Sequence, residues 1–127
     1  MHISEIFRNH KYINLTTFRK NGIAVPTPVW FVEINGNLYV FTGAQTGKAK
    51  RIRANGRASV APSDARGNPL GEFIPMRASF VNDLTVIEQA NHHYQQKYGF
   101  QRTLMNWLNS LRRREDTPVL IRLSTTE

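Results

Sequence analysis

The residues best suited to chemistry in this sequence are concentrated in one stretch, Thr42-Gly43-Ala44-Gln45-Thr46-Gly47-Lys48-Ala49-Lys50-Arg51-Ile52-Arg53. It joins a strand end, a glycine turn, a helix start and a run of cations. The first amides of a helix have no partner within it, and the helix dipole is positive there, so the two together attract an anion such as phosphate. Gly47 lets the backbone approach closely. Lys48, Lys50 and Arg51 can add charge-assisted hydrogen bonds of about 1.5 to 3 kcal/mol each, a factor of roughly ten to a hundred in affinity. Between Glu33 and Asp64 there is no acidic residue, while Lys48, Lys50, Arg51, Arg53 and Arg57 fall in that interval. A merely solvated cationic face, with Ala49 and Ile52 packing inward at i and i+3, explains the charges alone. It does not explain the turn, the capping threonine and the missing carboxylates together.

Other chemistry is poorly supported. A P-loop would need glycine at Thr42 and Ser or Thr at Ala49. Adjacent His92 and His93 point about 100° apart on a helix and cannot face one metal as an i, i+4 pair does, so they read as solvated and no metal site is expected. Asp83, Glu88, Glu115 and Asp116 form no catalytic pair, and the last two read as local neutralisers of Arg112, Arg113 and Arg114. Trp30 and Phe41 are of the right type to flank a planar ring or to fill a small barrel. Trp107 reads as packing. There is no cysteine, which excludes disulfides and thiol chemistry.

These residues sit on elements with clear local signals. Residues 11–20 and 23–34 are rich in β-branched and aromatic types, and Asn21-Gly22 between them marks a two-residue hairpin. Asn35-Gly36 marks a second, leading into LYVFT. Pro26 and Pro28 suggest an edge, a bulge or a stretch opened toward a ligand. Thr46 can cap a short basic helix that Gly56 ends. Two strands, RASVAPSD and GEFIPMRASFV, come next. A helix with Leu84, Ile87, Ala90 and Tyr94 at helical spacing follows, then another with Leu104, Trp107, Leu108 and Leu111 on one face, and a last strand after Pro118. Hairpin connections imply a mainly β, largely antiparallel sheet with flanking helices, closed into a barrel that removes its edges.

A chain of 127 residues suits one domain spanning residues 1–127, and the formal charge of +8 implies an anionic partner. No apolar run approaches the ~20 residues of a membrane helix, and the start MHISEIFRNHKY lacks the apolar region of a secretory signal, so a cytoplasmic location is expected.

The segments YINLTTFRKNG, VPTPVWFVEINGNLYVFTG and TGKAKRIRANGRASVAPSDARGNPLGE, and more loosely KYGFQRTLMNWLNSL, resemble the split-barrel proteins related to pyridoxamine phosphate oxidase. Within that group they are most similar to the branch of deazaflavin (coenzyme F-420)-dependent enzymes. The resemblance covers almost the whole chain. It implies an antiparallel split β-barrel of the FMN-binding type, a homodimer, and two cofactor sites in grooves at the interface. Thr27, Pro28, Val29 and Trp30 match the strand that passes the ring system of the family's cofactor. Thr42, Lys48, Lys50 and Arg51 match its phosphate-binding stretch, in which Gly47 also falls. Where the family has proline after this helix, the sequence has Gly56. The amine site of pyridoxamine phosphate oxidase itself is completed by a carboxy-terminal Trp and Arg segment; the stretch LIRLSTTE points away from that activity.

The resemblance therefore implies an oxidoreductase that binds coenzyme F-420 or FMN and passes hydride to a small conjugated acceptor. Lack of acid/base machinery is compatible with this, because the cofactor carries the difficult chemistry. The alternatives are a flavin, deazaflavin or haem carrier without turnover, and a basic nucleic-acid-binding barrel, for which no RNP-like aromatic motif speaks.

Overall fold

The structure is a computed structural model describing residues 2–99 and 101–126, with the side chains of residues 101–105 and Leu108 outside the description. In chain order the elements are α1 (Ile3–Ile6), β1 (Tyr12–Phe18), β2 (Ala24–Trp30), β3 (Val32–Ile34), β4 (Asn37–Gly43), α2 (Gly47–Asn55), β5 (Arg57–Ser63), β6 (Ile74–Val81), α3 (Leu84–Tyr98), α4 (Gln101–Arg113) and β7 (Pro118–Thr125). The strands form one sheet in the order β2-β1-β5-β6-β7-β4-β3, and every pairing is antiparallel. Its two edge strands, β2 and β3, are consecutive in the chain with only Phe31 between them. The sheet therefore curls until its edges meet at that residue, a mainly β split barrel as the sequence implies. Among the described residues no helix is long and apolar enough to cross a membrane.

The stretch 23–34, read from sequence as one strand, breaks at Phe31 for a specific reason. The Phe31 N–H donates to the Tyr98 hydroxyl at 2.9 Å, and the Phe31 carbonyl accepts from that hydroxyl at 2.7 Å and from the Lys97 ammonium at 3.0 Å. With both backbone groups held by α3, Phe31 leaves the ladder. Its side chain turns into the core and meets Phe7 edge-on at 5.8 Å.

The barrel interior is filled by Ile13, Leu15, Leu38, Val40, Val60, Ile121 and Leu123, all fully buried. Strict alternation along β4 turns Leu38 and Val40 inward, and Tyr39 and Phe41 outward against Ala90 and Tyr94 of α3. Leu84, expected on the buried face of α3, is 73% exposed. It occupies the first helical position, ahead of the turn that meets the sheet.

The turns refine the sequence reading. Asn35 and Gly36 both have positive φ, 52° and 85°, as a two-residue hairpin of mirror-image type requires. At the first hairpin only Gly22 does, at 88°. There the Gly22 amide donates to Arg19 at 2.8 Å and the Arg19 amide to Ile23 at 2.9 Å. The loop is a three-residue turn closed by a glycine bulge, not the two-residue turn expected. Pro26 and Pro28 lie on β2, an edge strand paired only with β1, where a missing donor costs no ladder bond.

Helix α2 has nine residues, too few to persist alone in water, and is held by packing. Ala49 and Ile52 are buried against the barrel end, a contribution of roughly 1.5 to 3 kcal/mol for a fully buried isoleucine. Thr46 caps its start by accepting from the Ala49 amide at 3.4 Å, and Gly56 ends it at φ 68°.

Candidate functional site

A cavity of about 400 Å³ opens at the barrel seam, between β2 and β4 and beneath α3 and α4. Pro28, Val29 and Trp30 of β2 border it on one side, Phe41 and Thr42 of β4 on the other, and Lys48 at one end. Residues far apart in sequence that were singled out for ring and phosphate binding thus share one space. Tyr12, Tyr94, Gln95, Tyr98 and Trp107 complete the wall.

The remaining predicted residues lie at or beyond the cationic end. Gly47 opens α2 beside Lys48, and the Arg51 guanidinium rests against it: a β-carbon at position 47 would stand 2.7 Å from Arg51 Nη1. Arg51 Nε donates to Thr17 Oγ1 at 2.7 Å, which fixes the guanidinium at the rim of the barrel. Lys50 is exposed and does not border the cavity. Two residues along a helix turn it about 200° from Lys48, so it faces solvent.

Hydroxyls organise the turn that leads into α2. Thr46 Oγ1 donates to the Gly43 carbonyl at 2.8 Å and lies 3.2 Å from Thr42 Oγ1, which is itself buried. Asp116, read from sequence as a local neutraliser of arginines, instead accepts from the Gln45 amide at 3.0 Å and the Thr117 amide at 2.8 Å. It ties the end of α4 to the β4–α2 turn. Lys48 is half-buried. Burial holds its ammonium below the ordinary lysine value, and the like charges of Arg51 and then Arg114 add to the effect. Arg51 is lowered by burial and by Arg19. These cations crowd one another.

The body of the cavity is aromatic. Trp30 and Tyr98 stack with centroids 4.3 Å apart and planes 6° from parallel. Phe41 meets Tyr94 edge-on at 5.1 Å and lies 6.3 Å from Trp107. The Tyr94 hydroxyl accepts from the Phe41 amide at 3.2 Å and donates to the Trp30 carbonyl at 2.8 Å, bridging β2 and β4 where no ladder joins them. Tyr98 closes the other side of the seam through Phe31 and the Lys11 carbonyl. Burial raises both phenols above the ordinary tyrosine value, so each stays a neutral hydrogen-bonding group.

Sequence reasoning placed Tyr94 only in a helix core and passed over Tyr12, Gln95 and Tyr98. The available signal was the i, i+4 spacing of Tyr94 and Tyr98, two polar-tipped rings on one helix face. His92 and His93 lie 6.5 Å apart with rings 88° from parallel, and no group of three or more His, Asp or Glu among the described residues could hold a metal. The arrangement suits a flat, largely apolar ring whose anionic end reaches Lys48, Gly47 and Arg51. Its volume falls within the usual range for small-molecule sites.

Comparison with known proteins agrees with this architecture. HutZ, the haem storage protein from Vibrio cholerae, superposes with a TM-score of 0.74 at 17% identity, over 100% of this chain and 92% of that one. A candidate pyridoxamine 5'-phosphate oxidase from Listeria innocua gives 0.69 at 18% identity, over 98% and 91%. An FAD-binding protein from Mesorhizobium loti gives 0.68 at 15% identity, over 98% and 85%. At these identities the likeness is one of fold. No curated protein matches the chain in sequence. The family model for pyridoxamine 5'-phosphate oxidase matches residues 2–113, nearly the whole barrel with its helices, and the chain belongs to that family.

Proposed function

We propose that this chain is a cytoplasmic oxidoreductase that binds a phosphate-bearing flavin or deazaflavin, FMN or coenzyme F-420, and acts as a homodimer on a small conjugated acceptor. The observation that carries the reading is the convergence of Pro28, Val29, Trp30, Phe41, Thr42 and Lys48 on one cavity with an aromatic body and a cationic end. The cofactor, when bound, supplies hydride transfer to the acceptor. The residues bind and orient. Lys48, the first amides of α2 and Arg51 hold the phosphate, and Thr42 offers a hydroxyl beside them. Trp30, Phe41 and Trp107 set the plane of the ring. The tyrosine-latched seam keeps water out of the cavity floor, where fixed dipoles act more strongly than in water.

The HutZ likeness favours a second reading, a carrier that binds a planar cofactor without turnover. One experiment separates the two. The visible spectrum of the purified protein is recorded with and without added FMN and deazaflavin, followed by incubation of the reduced complex with quinones and enones. Binding at micromolar concentration, weakened tenfold or more by Lys48→Ala, together with acceptor-dependent reoxidation, supports the enzyme. Binding without reoxidation supports the carrier, and no binding of either cofactor removes both.

A further inference from the structure

The two phenols of α3 that border the cavity commit their hydroxyls to the barrel backbone. Tyr94 takes the Phe41 amide and gives its proton to the Trp30 carbonyl, and Tyr98 is held in the same way at Phe31 and Lys11. Thr42 and Lys48 stand at the cationic end. In the aromatic body, Trp30 and Trp107 offer an indole N–H, which only donates, and Tyr12 a hydroxyl. Among the described residues that border the cavity, Gln95 alone carries a carboxamide, with an acceptor oxygen and a donor NH2 side by side. It is half-buried, and its carboxamide makes no hydrogen bond among the described residues. Its place follows from the helix. Gln95 lies about 100° around α3 from Tyr94 and Tyr98 about 40° in the same sense, whereas His93 and Lys97 fall on the other side and border a separate pocket with Phe7 and Arg8. Gln95 therefore flanks the stack of Tyr98 on Trp30, the residue that Tyr12 faces across β1 and β2.

A carboxamide in an apolar wall loses much of its water when a ring fills the cavity, and an amide left unmatched then opposes binding. The edge that satisfies both of its groups has a carbonyl next to an N–H, as in a cyclic imide. Flavins and deazaflavins carry such an edge on the pyrimidine end of the ring, and a porphyrin does not. We infer that Gln95 is a specificity residue that reads the imide edge of the bound ring, so that the site selects flavin-type rings over a haem. This rests on the cofactor reading proposed above and narrows it: Lys48 grips any ligand with a phosphate, whereas Gln95 tests the ring itself.

The test measures dissociation constants, by fluorescence quenching, for FMN, N3-methyl-FMN and haemin. N3-methyl-FMN keeps the phosphate and the ring but has lost the imide N–H. The proteins are wild type, Gln95→Leu, Lys48→Ala and Gln96→Leu, an exposed glutamine about 200° from Tyr94 that does not border the cavity. Wild type is expected to bind FMN roughly tenfold more tightly than N3-methyl-FMN, as one hydrogen bond in a partly dry site implies. Gln95→Leu weakens FMN about tenfold, leaves N3-methyl-FMN within about twofold and haemin no weaker than before, and so abolishes the preference. Retained binding of N3-methyl-FMN shows that this variant is folded. Gln96→Leu changes none of the three by more than about twofold. Equal loss for both flavins, a matching loss for haemin, no loss for FMN, or the same loss from Gln96→Leu overturns the inference while FMN binding stands. If Lys48→Ala leaves FMN untouched, or wild type binds no FMN, the underlying cofactor reading fails instead.

Discussion

Tyr98→Phe isolates the latch that splits β2 from β3. The substitution keeps the ring, so the stack on Trp30 at 4.3 Å and the buried apolar area are retained. What disappears is the hydroxyl that accepts the Phe31 amide at 2.9 Å and whose single proton is shared between the Lys11 and Phe31 carbonyls at 2.6 and 2.7 Å. The Phe31 carbonyl still has Lys97 at 3.0 Å, and the Lys11 carbonyl has solvent. The Phe31 amide is left without a partner in a part-buried site, and an orphaned buried donor costs about 1 to 3 kcal/mol. With a urea m-value near 2 kcal/mol/M, a loss of about 2 kcal/mol lowers the unfolding midpoint by roughly 1 M. Tyr98→Leu, which also removes the stack, should cost a further 0.5 to 1.5 kcal/mol or so. Equilibrium urea unfolding followed by tryptophan fluorescence reads both, and amide exchange at Phe31 reports the latch directly. If Tyr98→Phe stays within about 0.3 kcal/mol of wild type and Phe31 keeps its protection, the latch does not hold the seam and the account of the strand break is wrong.

Two further outcomes follow from local geometry. Gly56 ends α2 at φ 68°, with its amide on Ile52 at 2.8 Å and the Ala78 carbonyl 3.3 Å from where a β-carbon would stand. Gly56→Ala should therefore cost about 1 to 2 kcal/mol, and Gly56→Pro more, since proline can adopt neither that φ nor donate that bond; thermal unfolding showing Gly56→Pro as stable as wild type would contradict the cap. Burial pushes the Lys97 ammonium down to about 8, from the ordinary 10.5. The folded chain releases this proton before the unfolded chain does, so the stability attributable to Lys97 grows as pH rises from about 8 toward 10.5. The difference in urea midpoint between wild type and Lys97→Met should shift in favour of wild type over that window, and a constant difference would count against a buried ammonium.

Most of the barrel was readable because local chemistry and tertiary packing agree in it. Alternation in β4, the caps Thr46 and Gly56, and the Asn35-Gly36 turn each name their own conformation, and six of the residues assigned to ring or phosphate binding share one cavity. The misses are tertiary. Nothing within 23–34 signals a break at Phe31, because its cause lies 67 residues away in Tyr98. Lys50 and Lys48 look alike in sequence, and only the helical turn separates the exposed one from the one at the cavity. A solvated cationic face and an anion grip do not exclude each other in this geometry. Ala49 and Ile52 pack inward as the former requires, while Lys48 and Arg51 turn to the rim as the latter does.

The seam and the cationic end meet opposite demands. Two tyrosines and one lysine of α3 hold the seam through backbone groups of the barrel, so its shape does not depend on a ligand. α2 is fixed by its buried face and its cap, so little ordering remains to oppose binding. The charges at its start are another matter. Burial and then the like charges of Arg51 and Arg114 lower Lys48, and burial and then Arg19 lower Arg51, so the anion proposed for this end would relieve a repulsion that the chain carries without it. If the proposed anion binds there, the same field lowers the stability of the free protein and raises the anion's affinity, and salt acts on the two in opposite directions: screening steadies the free chain and weakens the binding. A ligand at a hundredfold excess over its dissociation constant adds about 2.7 kcal/mol to the folded state. On the phosphate reading proposed above, affinity at this end would come in part from repulsion already present in the free site, while the seam at the other end is held by a latch that needs no ligand.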